Sequence, residues 1–290
     1  MSDFTENFSL PEGAVDSHFH IYGPFDRFPA GDEGRFTPSH ESRIEQAFEH
    51  WVRIGVSRGV IIHPVGAGPD NAVTYSALRR FPDRLRATAI LSQDVTDKRL
   101  DELTDAGFRA VRVTMIRQDG KPLSTKGTNF DDLQVLAPRL AERGWHAQIW
   151  IECSDLREAG PELEKLPLDF VIDHMCRTMT DKGVDHPDWI CFLERLQTGR
   201  FWTKLSGADR NSRAGAPYRD ALPYMQSIVE AAPDQVVWGS DWPHVGYADR
   251  KGPKMQDLFE LLFEAAPSAD LRRRIFLDNP ERLYGFERMH

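Results

Sequence analysis

Eight short apolar runs, spaced at fairly even intervals along the 290 residues, constrain the fold more than any other feature of the sequence. Each run is rich in β-branched residues and continuous in apolar character, which is typical of parallel strands buried on both faces. The runs occupy residues 13–20, 57–64, 85–91, 108–115, 145–152, 168–174, 200–207 and 234–242. The sequence therefore predicts eight buried parallel strands.

Segments with helical patterning separate these runs. The stretch NFDDLQVLAPRLAERG ends at Gly144, and DHPDWICFLERLQTG begins at Asp185 and ends at Gly199, as helices with a polar N-cap and a C-terminal glycine do. Strand–helix alternation repeated eight times at this length predicts a single-domain (β/α)8 barrel. The alternative is a doubly wound open sheet, which normally has a glycine-rich first turn, whereas this chain has HFHIYGPFDRFP there.

The barrel is expected to span residues 13–290, including additional C-terminal helices, with a flexible N-terminal tail over residues 1–12. Residues 23–40 follow the first strand and are rich in glycine, proline and charge. A loop of that length in a compact domain is usually functional. We interpret it either as a lid or rim over a site, or as a disordered surface loop.

Composition argues against several classes of protein. The net charge of -9 disfavours a nucleic-acid or anionic-membrane surface, although it allows a local cluster of arginines around a small anion. The sequence contains no apolar run of about 18 residues, so no membrane span is predicted. The first residues carry no apolar signal region. The three cysteines lack Cys-x-x-Cys spacing and are interpreted as reduced thiols. We expect a cytoplasmic monomer or small homo-oligomer.

Polar residues stand at the C-terminal end of nearly every predicted strand, where the active site of a (β/α)8 barrel forms. Because burying polar groups without partners costs free energy, this placement predicts a functional pocket. The set comprises His18, His20, His63, Arg112, Thr114, Trp150, Glu152, Asp173, His174, Arg177, Lys204, Ser206, Arg210, Asp241 and His244.

Four motifs together resemble the amidohydrolase superfamily, specifically its branch of 2-pyrone-4,6-dicarboxylate lactonases and related lactonases. They are VDSHFH, VIDHMCR, VWGSDWPH and the terminal DNPERLYGF. The Tyr22-Gly23-Pro24 continuation makes the first motif more specific than a bare His-x-His. The resemblance runs from residue 13 to about residue 286 and implies a distorted (β/α)8 barrel that hydrolyses a small carboxylated lactone.

The resemblance also implies roles for the matched residues. Asp241 would activate water, and His18, His20 and His174 would polarise the lactone carbonyl in the manner of an oxyanion hole. Because a guanidinium matches a carboxylate in a bidentate fork, we expect arginines to bind the substrate anion. The substrate-binding candidates are Arg112, Arg117, Arg177, Arg210, His63, Trp150, His244 and Tyr22.

The same four catalytic candidates raise the question of a metal. Metal-dependent amidohydrolases also use a histidine ending the fifth strand, whereas this chain has Glu152 there. His146 lies at the start of that strand, about 13 Å from its end. Because the lactonase branch works without a divalent metal, we expect no cofactor. The alternative is a divalent metal such as zinc, held by His18, His20, His174 and Asp241.

The substrate and the reaction retain alternatives. In the loop after the second strand, Val65, Ala67 and Pro69 stand where the pyrone branch carries small polar residues, so a sugar-acid lactone or a substituted muconolactone is as consistent as the pyrone. Three other functions compete with lactone hydrolysis: a lactone isomerase of the same branch, a metal-dependent decarboxylase of the superfamily, and an inactive barrel kept as a binding protein.

Overall fold

The computed structural model describes residues 4, 7–31, 38, 40–67, 70–118, 120–123, 126–247 and 252–288. Parts of the predicted tail (1–12) and of the predicted lid or loop (23–40) lie outside these residues. Eight parallel strands form one sheet in sequential order, which confirms the predicted (β/α)8 barrel. The strands are β1 (Val15–Phe19), β2 (Arg58–Ile62), β3 (Leu85–Ala89), β4 (Phe108–Thr114), β5 (His146–Trp150), β6 (Phe170–Ile172), β7 (Phe201–Lys204) and β8 (Val236–Val237).

Helices follow the strands and pack on the outside of the barrel. Their ends follow local rules: Asn129 caps the fourth helix by accepting a hydrogen bond from the backbone of Asp132, and Pro187 opens the sixth. The helices that follow the eight strands are α1 (Ile44–Ile54), α2 (Ala72–Arg80), α3 (Asp97–Ala106), α4 (Phe130–Ala141), α5 (Cys153–Leu163), α6 (Pro187–Gln197), α7 (Leu222–Ala231) and α8 (Met255–Ala265).

The barrel closes where β1 meets the segment after β8. The backbone N–H groups of Ser17 and His20 donate to the carbonyls of Trp238 and Trp242, and the N–H of Asp241 donates to the carbonyl of His18. These bonds hold the ends of the first and last strands side by side, so that motifs more than 200 residues apart share one end of the barrel.

A buried carboxylate reinforces this closure. Asp16 accepts hydrogen bonds from the backbone N–H and the hydroxyl of Ser240, at 2.9 and 2.6 Å. It also accepts from the backbone of His18 and the indole of Trp51, each at 3.1 Å. Burial raises the pKa of Asp16 to about 6 against these bonds. Asp16 therefore links β1 to the segment after β8 and to α1. Its role is structural.

The C-terminal segment fills the N-terminal end of the barrel. It comprises α9 (Ala269–Arg273), a π-helical turn (Arg274–Asp278) and α10 (Asn279–Tyr284). Tyr284 and Phe286 pack against apolar side chains of β1 and β2 inside the cylinder. Arg58, at the start of β2, donates to the Glu281 carboxylate at 2.7 Å. We call residues 279–286 the C-terminal plug.

Two further observations concern the surface and the tail. Phe8 is buried, and its ring lies 5.6 Å from that of Phe259 and 5.1 Å from that of Phe263, so this part of the predicted tail packs against α8. Within the described ranges, no helix combines the length and apolarity needed to cross a bilayer. All three cysteines are free.

Candidate active site

Three imidazoles and one carboxylate meet at the C-terminal end of the barrel. The Asp241 Oδ1 atom lies 3.6 Å from His18 Nε2, 3.4 Å from His20 Nε2 and 3.9 Å from His174 Nε2. The two Nε2 atoms of His18 and His20 are 3.3 Å apart. All four residues are buried. The structure thus brings together the residues that the sequence proposed as catalytic.

Left-handed backbone places two of these side chains. His174, Met175, Cys176 and Arg177 have φ values of 52°, 52°, 58° and 46°, and Asp241 has a φ of 57°. Such a conformation costs a non-glycine residue about 1–2 kcal/mol, and strain of this kind is concentrated at functional sites. The turns aim His174 and Asp241 into the barrel end.

Two glycines leave room for the histidines. A Cβ atom added to Gly207 would lie 2.8 Å from the Cβ of His174, and one added to Gly239 would lie 2.4 Å from the Cβ of His18. Real Cβ contacts are not this short, so any larger residue would displace the imidazole. Gly239 belongs to the quoted VWGSDWPH motif, and its absent side chain is part of the site.

Hydrogen bonds at Nδ1 orient each imidazole. His20 Nδ1 donates to the Ile62 carbonyl at 2.7 Å, and His174 Nδ1 lies 2.9 Å from Ser206 Oγ. His18 Nδ1 lies 3.1 Å from Lys204 Nζ. Each ring therefore has its Nδ1 engaged with the frame and its Nε2 directed towards Asp241.

Burial and the neighbouring Arg210 determine the protonation states of Asp241 and the three imidazoles. Burial alone would raise the pKa of Asp241, but Arg210 and then the imidazoles hold this pKa well below its usual value. Arg210 reaches the carboxylate with Nε at 2.8 Å and Nη2 at 2.7 Å. Burial lowers the pKa values of His18, His20 and His174. At neutral pH the site therefore combines an ionised carboxylate with neutral imidazoles.

A buried ion pair lies beneath this group. Lys204 and Asp173 are completely buried, with Nζ 3.4 Å from Asp173 Oδ1. Burial lowers the pKa of Lys204 to about 8 against the opposing effect of Asp173. The sequence placed both residues at strand ends but assigned them no role. The sequence did contain a signal for this pair: Lys204 ends the strand FWTK, and a lysine in a buried strand is rarely without a partner.

A cavity opens above the three imidazoles and Asp241. It encloses about 530 Å³ of space, including its open mouth. Arg112 is buried in its wall, with the guanidinium 5.9 Å from the centre of the Trp150 ring. The described lining residues are His20, Tyr22, Pro64, Val65, Gly66, Arg112, Trp150, His174, Arg210, Asp241 and Val245.

Four predicted substrate-binding residues are not among the described residues that line this cavity. The His63 ring turns away, because its Nδ1 bonds Thr74 Oγ1 at 2.8 Å. Arg117 is exposed, because the chain after β4 leaves the barrel in a two-stranded hairpin. Arg177 donates to Asn211 at 3.4 Å, and His244 is placed by a left-handed turn beyond Asp241.

The donor set fits a metal ion as well as a lactone. The nitrogens of His18 and His20 and the oxygen of Asp241 form one potential ligand group, with separations of 3.3–3.6 Å. Ligands of a tetrahedral zinc ion with bonds of about 2.0–2.1 Å are separated by about 3.3 Å. His174 completes a second possible group with His18 and Asp173. Absence of a metal therefore remains a prediction.

Comparison with known proteins identifies the family. The amidohydrolase family profile matches residues 15–286. A 4-sulfomuconolactone hydrolase of Hydrogenophaga intermedia is 36% identical over 280 residues, covering 96% of this chain and 90% of the relative. A 2-pyrone-4,6-dicarboxylate hydrolase of Comamonas testosteroni is 34% identical over 286 residues, covering 96% and 92%.

A solved structure agrees with these relatives. The putative 2-pyrone-4,6-dicarboxylic acid hydrolase of Pseudomonas putida superposes with a TM-score of 0.82 at 27% identity, covering 97% of this chain and 100% of that one. The resemblance predicted from the four motifs, and with it the expectation of an enzyme, is confirmed. With the profile extending from the first strand into the C-terminal plug, the chain belongs to the amidohydrolase family.

Proposed function

We propose that the protein hydrolyses a small anionic lactone, using water activated by Asp241. One observation carries the proposal: an ionised carboxylate faces three neutral imidazoles within 3.4–3.9 Å, at the base of a cavity that also holds a buried arginine. The lactone-hydrolase names of the relatives support the same reaction class.

The arrangement supplies each requirement of ester hydrolysis. Asp241 accepts a proton from water, and the resulting hydroxide adds to the lactone carbonyl carbon. In this mechanism the Nε2 atoms of His18 and His174 donate to the carbonyl oxygen, and each donor in such a group is worth about 10²–10³ in rate. His20, whose Nδ1–H is held by the Ile62 carbonyl, lies beside them. When the ring carbon–oxygen bond breaks, protonated Asp241 returns its proton to the leaving oxygen. The product is an open-chain hydroxy acid or its keto form.

The cavity wall favours a substrate with an anionic group and an apolar face. Arg112 forms no ion pair with any described residue, so its guanidinium is left for a substrate carboxylate or sulfonate. Arg210 is already bound to Asp241. Val65 and Trp150, which also line the cavity, offer an apolar surface to the lactone ring.

The proposed reaction uses only side chains of this chain. If a divalent cation binds, the ligands would be His18, His20 and Asp241 with His174 beside them, and the cation would supply Lewis-acid polarisation of the carbonyl. Metal analysis of the purified protein and activity after chelation separate the two cases. We expect unchanged activity after chelation; loss of activity with removal of stoichiometric zinc would contradict the metal-free part and leave lactone hydrolysis intact.

A substrate panel tests the proposal directly. Purified enzyme is assayed by proton release against carboxylated and sulfonated lactones: 2-pyrone-4,6-dicarboxylate, sulfomuconolactones and sugar-acid lactones. We expect hydrolysis of at least one, and a loss of about 10²–10⁴ in kcat for Asp241→Asn. The control is Asp131→Asn at an exposed position of α4, which should leave kcat unchanged.

Two results would contradict lactone hydrolysis by this site. One is an Asp241→Asn protein that hydrolyses its lactone at the native rate. The other is a product that retains a lactone ring of different size with no proton released, which would identify a lactone isomerase.

A further inference from the structure

The hydrogen bonds around His20 fix the position of its proton. Its Nδ1 lies 2.7 Å from the Ile62 carbonyl, and a carbonyl oxygen only accepts, so Nδ1 carries the hydrogen. With Nδ1–H held by this carbonyl, the neutral form of the ring has its lone pair on Nε2. His20 Nε2 therefore presents a lone pair towards the site.

This lone pair determines what His18 presents. His18 Nε2 lies 3.3 Å from His20 Nε2, and two facing lone pairs would repel each other. The contact is a hydrogen bond only if the proton of His18 resides on Nε2. The tautomer of His20 thus determines the tautomer of His18.

The opposite edge of the His18 ring gives the same answer independently. His18 Nδ1 lies 3.1 Å from Lys204 Nζ, and an ammonium group only donates. Lys204 is completely buried beside Asp173, with the two charged atoms 3.4 Å apart, so the ion pair keeps the lysine in its donating form. Lys204 Nζ is nearer to His18 Nδ1 than Asp173 Oδ1 is, at 3.1 against 3.4 Å, so a hydrogen on Nδ1 would face the ammonium group first. Nδ1 must therefore accept.

We infer that Lys204 is a positioning residue that holds the proton of His18 on Nε2, making His18 the imidazole that donates to the lactone carbonyl. The inference rests on the proposed function and assigns different roles to two of its three histidines. His18 is a donor, and His20 is an acceptor beside Asp241 that can receive a hydrogen bond from the attacking water.

The same arrangement disfavours metal binding, although the spacing of the ligands fits zinc. A histidine that binds a metal through Nε2 keeps its hydrogen on Nδ1 and usually donates it to a carboxylate or carbonyl. Asp173 Oδ1, 3.4 Å from His18 Nδ1, is placed to accept such a hydrogen. Lys204 stands at 3.1 Å from the same nitrogen and engages the carboxylate itself. Removing the lysine should therefore convert His18 into a metal-binding tautomer.

The decisive measurement is the tautomer of His18 in the complete protein. Long-range ¹H–¹⁵N spectra of protein with ¹⁵N-labelled histidines distinguish the two ring nitrogens, and His18→Gln identifies the His18 signals. We expect the Nε2–H form in the wild type and the Nδ1–H form in Lys204→Met, where Asp173 becomes the partner. A wild-type protein with the hydrogen on Nδ1 overturns the inference, even if no lysine variant folds.

Two further readouts separate positioning from mere structural support. In Lys204→Met, kcat should fall by about 10²–10³, as for loss of one carbonyl donor, with KM changed much less. The Co²⁺ affinity, read from the visible spectrum of the bound ion, should rise by about 10- to 100-fold. Lys204→Arg, which retains a charged donor, should keep the Nε2–H form and weak Co²⁺ binding.

The control is Lys165→Met, which removes an exposed lysine and should change none of these quantities. A Lys204→Met protein that folds, loses activity and keeps both the tautomer and the Co²⁺ affinity overturns the inference. The tautomer is read without substrate, so failure of the lactone panel leaves this test unaffected. Conversely, a wild-type tautomer contrary to expectation leaves lactone hydrolysis standing.

Discussion

At the residue scale, the proposal of an anionic substrate depends most on Arg112. Its side chain is buried, with the guanidinium near the face of Trp150 and donating to the carbonyl of His63 at 3.4 Å, and it forms no ion pair with a carboxylate of the described residues. Burying a guanidinium without a counter-ion is costly. An anionic ligand in the cavity would offset this cost, which supports the proposed charged substrate.

Replacement of this arginine should therefore weaken substrate capture more than chemistry. We expect Arg112→Met to lower kcat/KM by about 10- to 100-fold, the loss of a charge-assisted hydrogen bond, mainly through KM. Steady-state kinetics on the best lactone of the panel measure this. The control is Arg99→Met, which breaks an exposed pair with Glu102; an Arg112 variant as active as this control would exclude Arg112 from substrate binding.

The positions of Arg117 and His63 show that the sequence near a strand end does not determine whether a side chain enters the barrel. His63 directly follows β2, where the rule of polar strand ends applies, and Arg117 lies three residues beyond β4. Whether such a side chain enters the barrel depends on the path of the chain after the strand, which here is an outward hairpin for Arg117 and a bond to Thr74 for His63. These partners lie in later segments, and no local pattern announces them.

At the scale of elements, the C-terminal plug is held by a buried ion pair. The side chains of Arg58 and Glu281 are only 8% and 7% exposed, which places them beyond the reach of solvent screening. Arg58 also donates to the carbonyls of Gly13 and Glu287, both at 2.9 Å. The arginine thus joins the start of β2 to both ends of the chain's folded body.

Breaking this pair should loosen the plug and destabilise the barrel. Glu281→Ala leaves Arg58 buried without its carboxylate, which typically costs about 3–5 kcal/mol in the free energy of unfolding. Urea denaturation measures the difference. The matched control is Glu264→Ala, which breaks the exposed pair with Arg219 and should cost no more than about 1 kcal/mol. Equal effects in the two variants would show that the plug is not held by this pair.

The strands could be predicted from the sequence, whereas the turn after β6 could not. The eight strands follow from continuous apolar runs, a local property, and the meeting of His18, His174 and Asp241 follows from parallel strands in a closed barrel. The left-handed turn over residues 174–177 does not follow, because VIDHMCR contains no glycine to signal positive φ. The surrounding packing imposes that conformation, and packing is not visible in a single sequence.

At the scale of the whole molecule, buried neutral histidines make stability depend on pH. Burial lowers the pKa of His146 to about 3 and that of His50 to about 4, whereas an unfolded histidine titrates near 6.5. Between these values the unfolded chain binds more protons, so stability falls as the pH falls. The contribution is complete above about pH 6.5 and is lost progressively below it. Asp16, with its raised pKa, contributes with the opposite sign and a smaller shift.

We expect the free energy of unfolding to be about 2 kcal/mol lower at pH 5 than at pH 7.5. Urea denaturation at the two pH values measures this difference. In His146→Gln the difference should shrink, whatever the stability of the variant at neutral pH. Identical unfolding free energies at both pH values in the wild type would contradict the assignment of these histidines as buried and neutral.

The C-terminal plug has a consequence for how the molecule matures in the cell. Tyr284 and Phe286 lie against Val15 inside the cylinder, so the first strand completes its packing only with residues that are synthesised after all eight strands. Until those residues have left the ribosome, the apolar interior of the barrel is open at its N-terminal end. Completion of the core therefore follows translation of the plug.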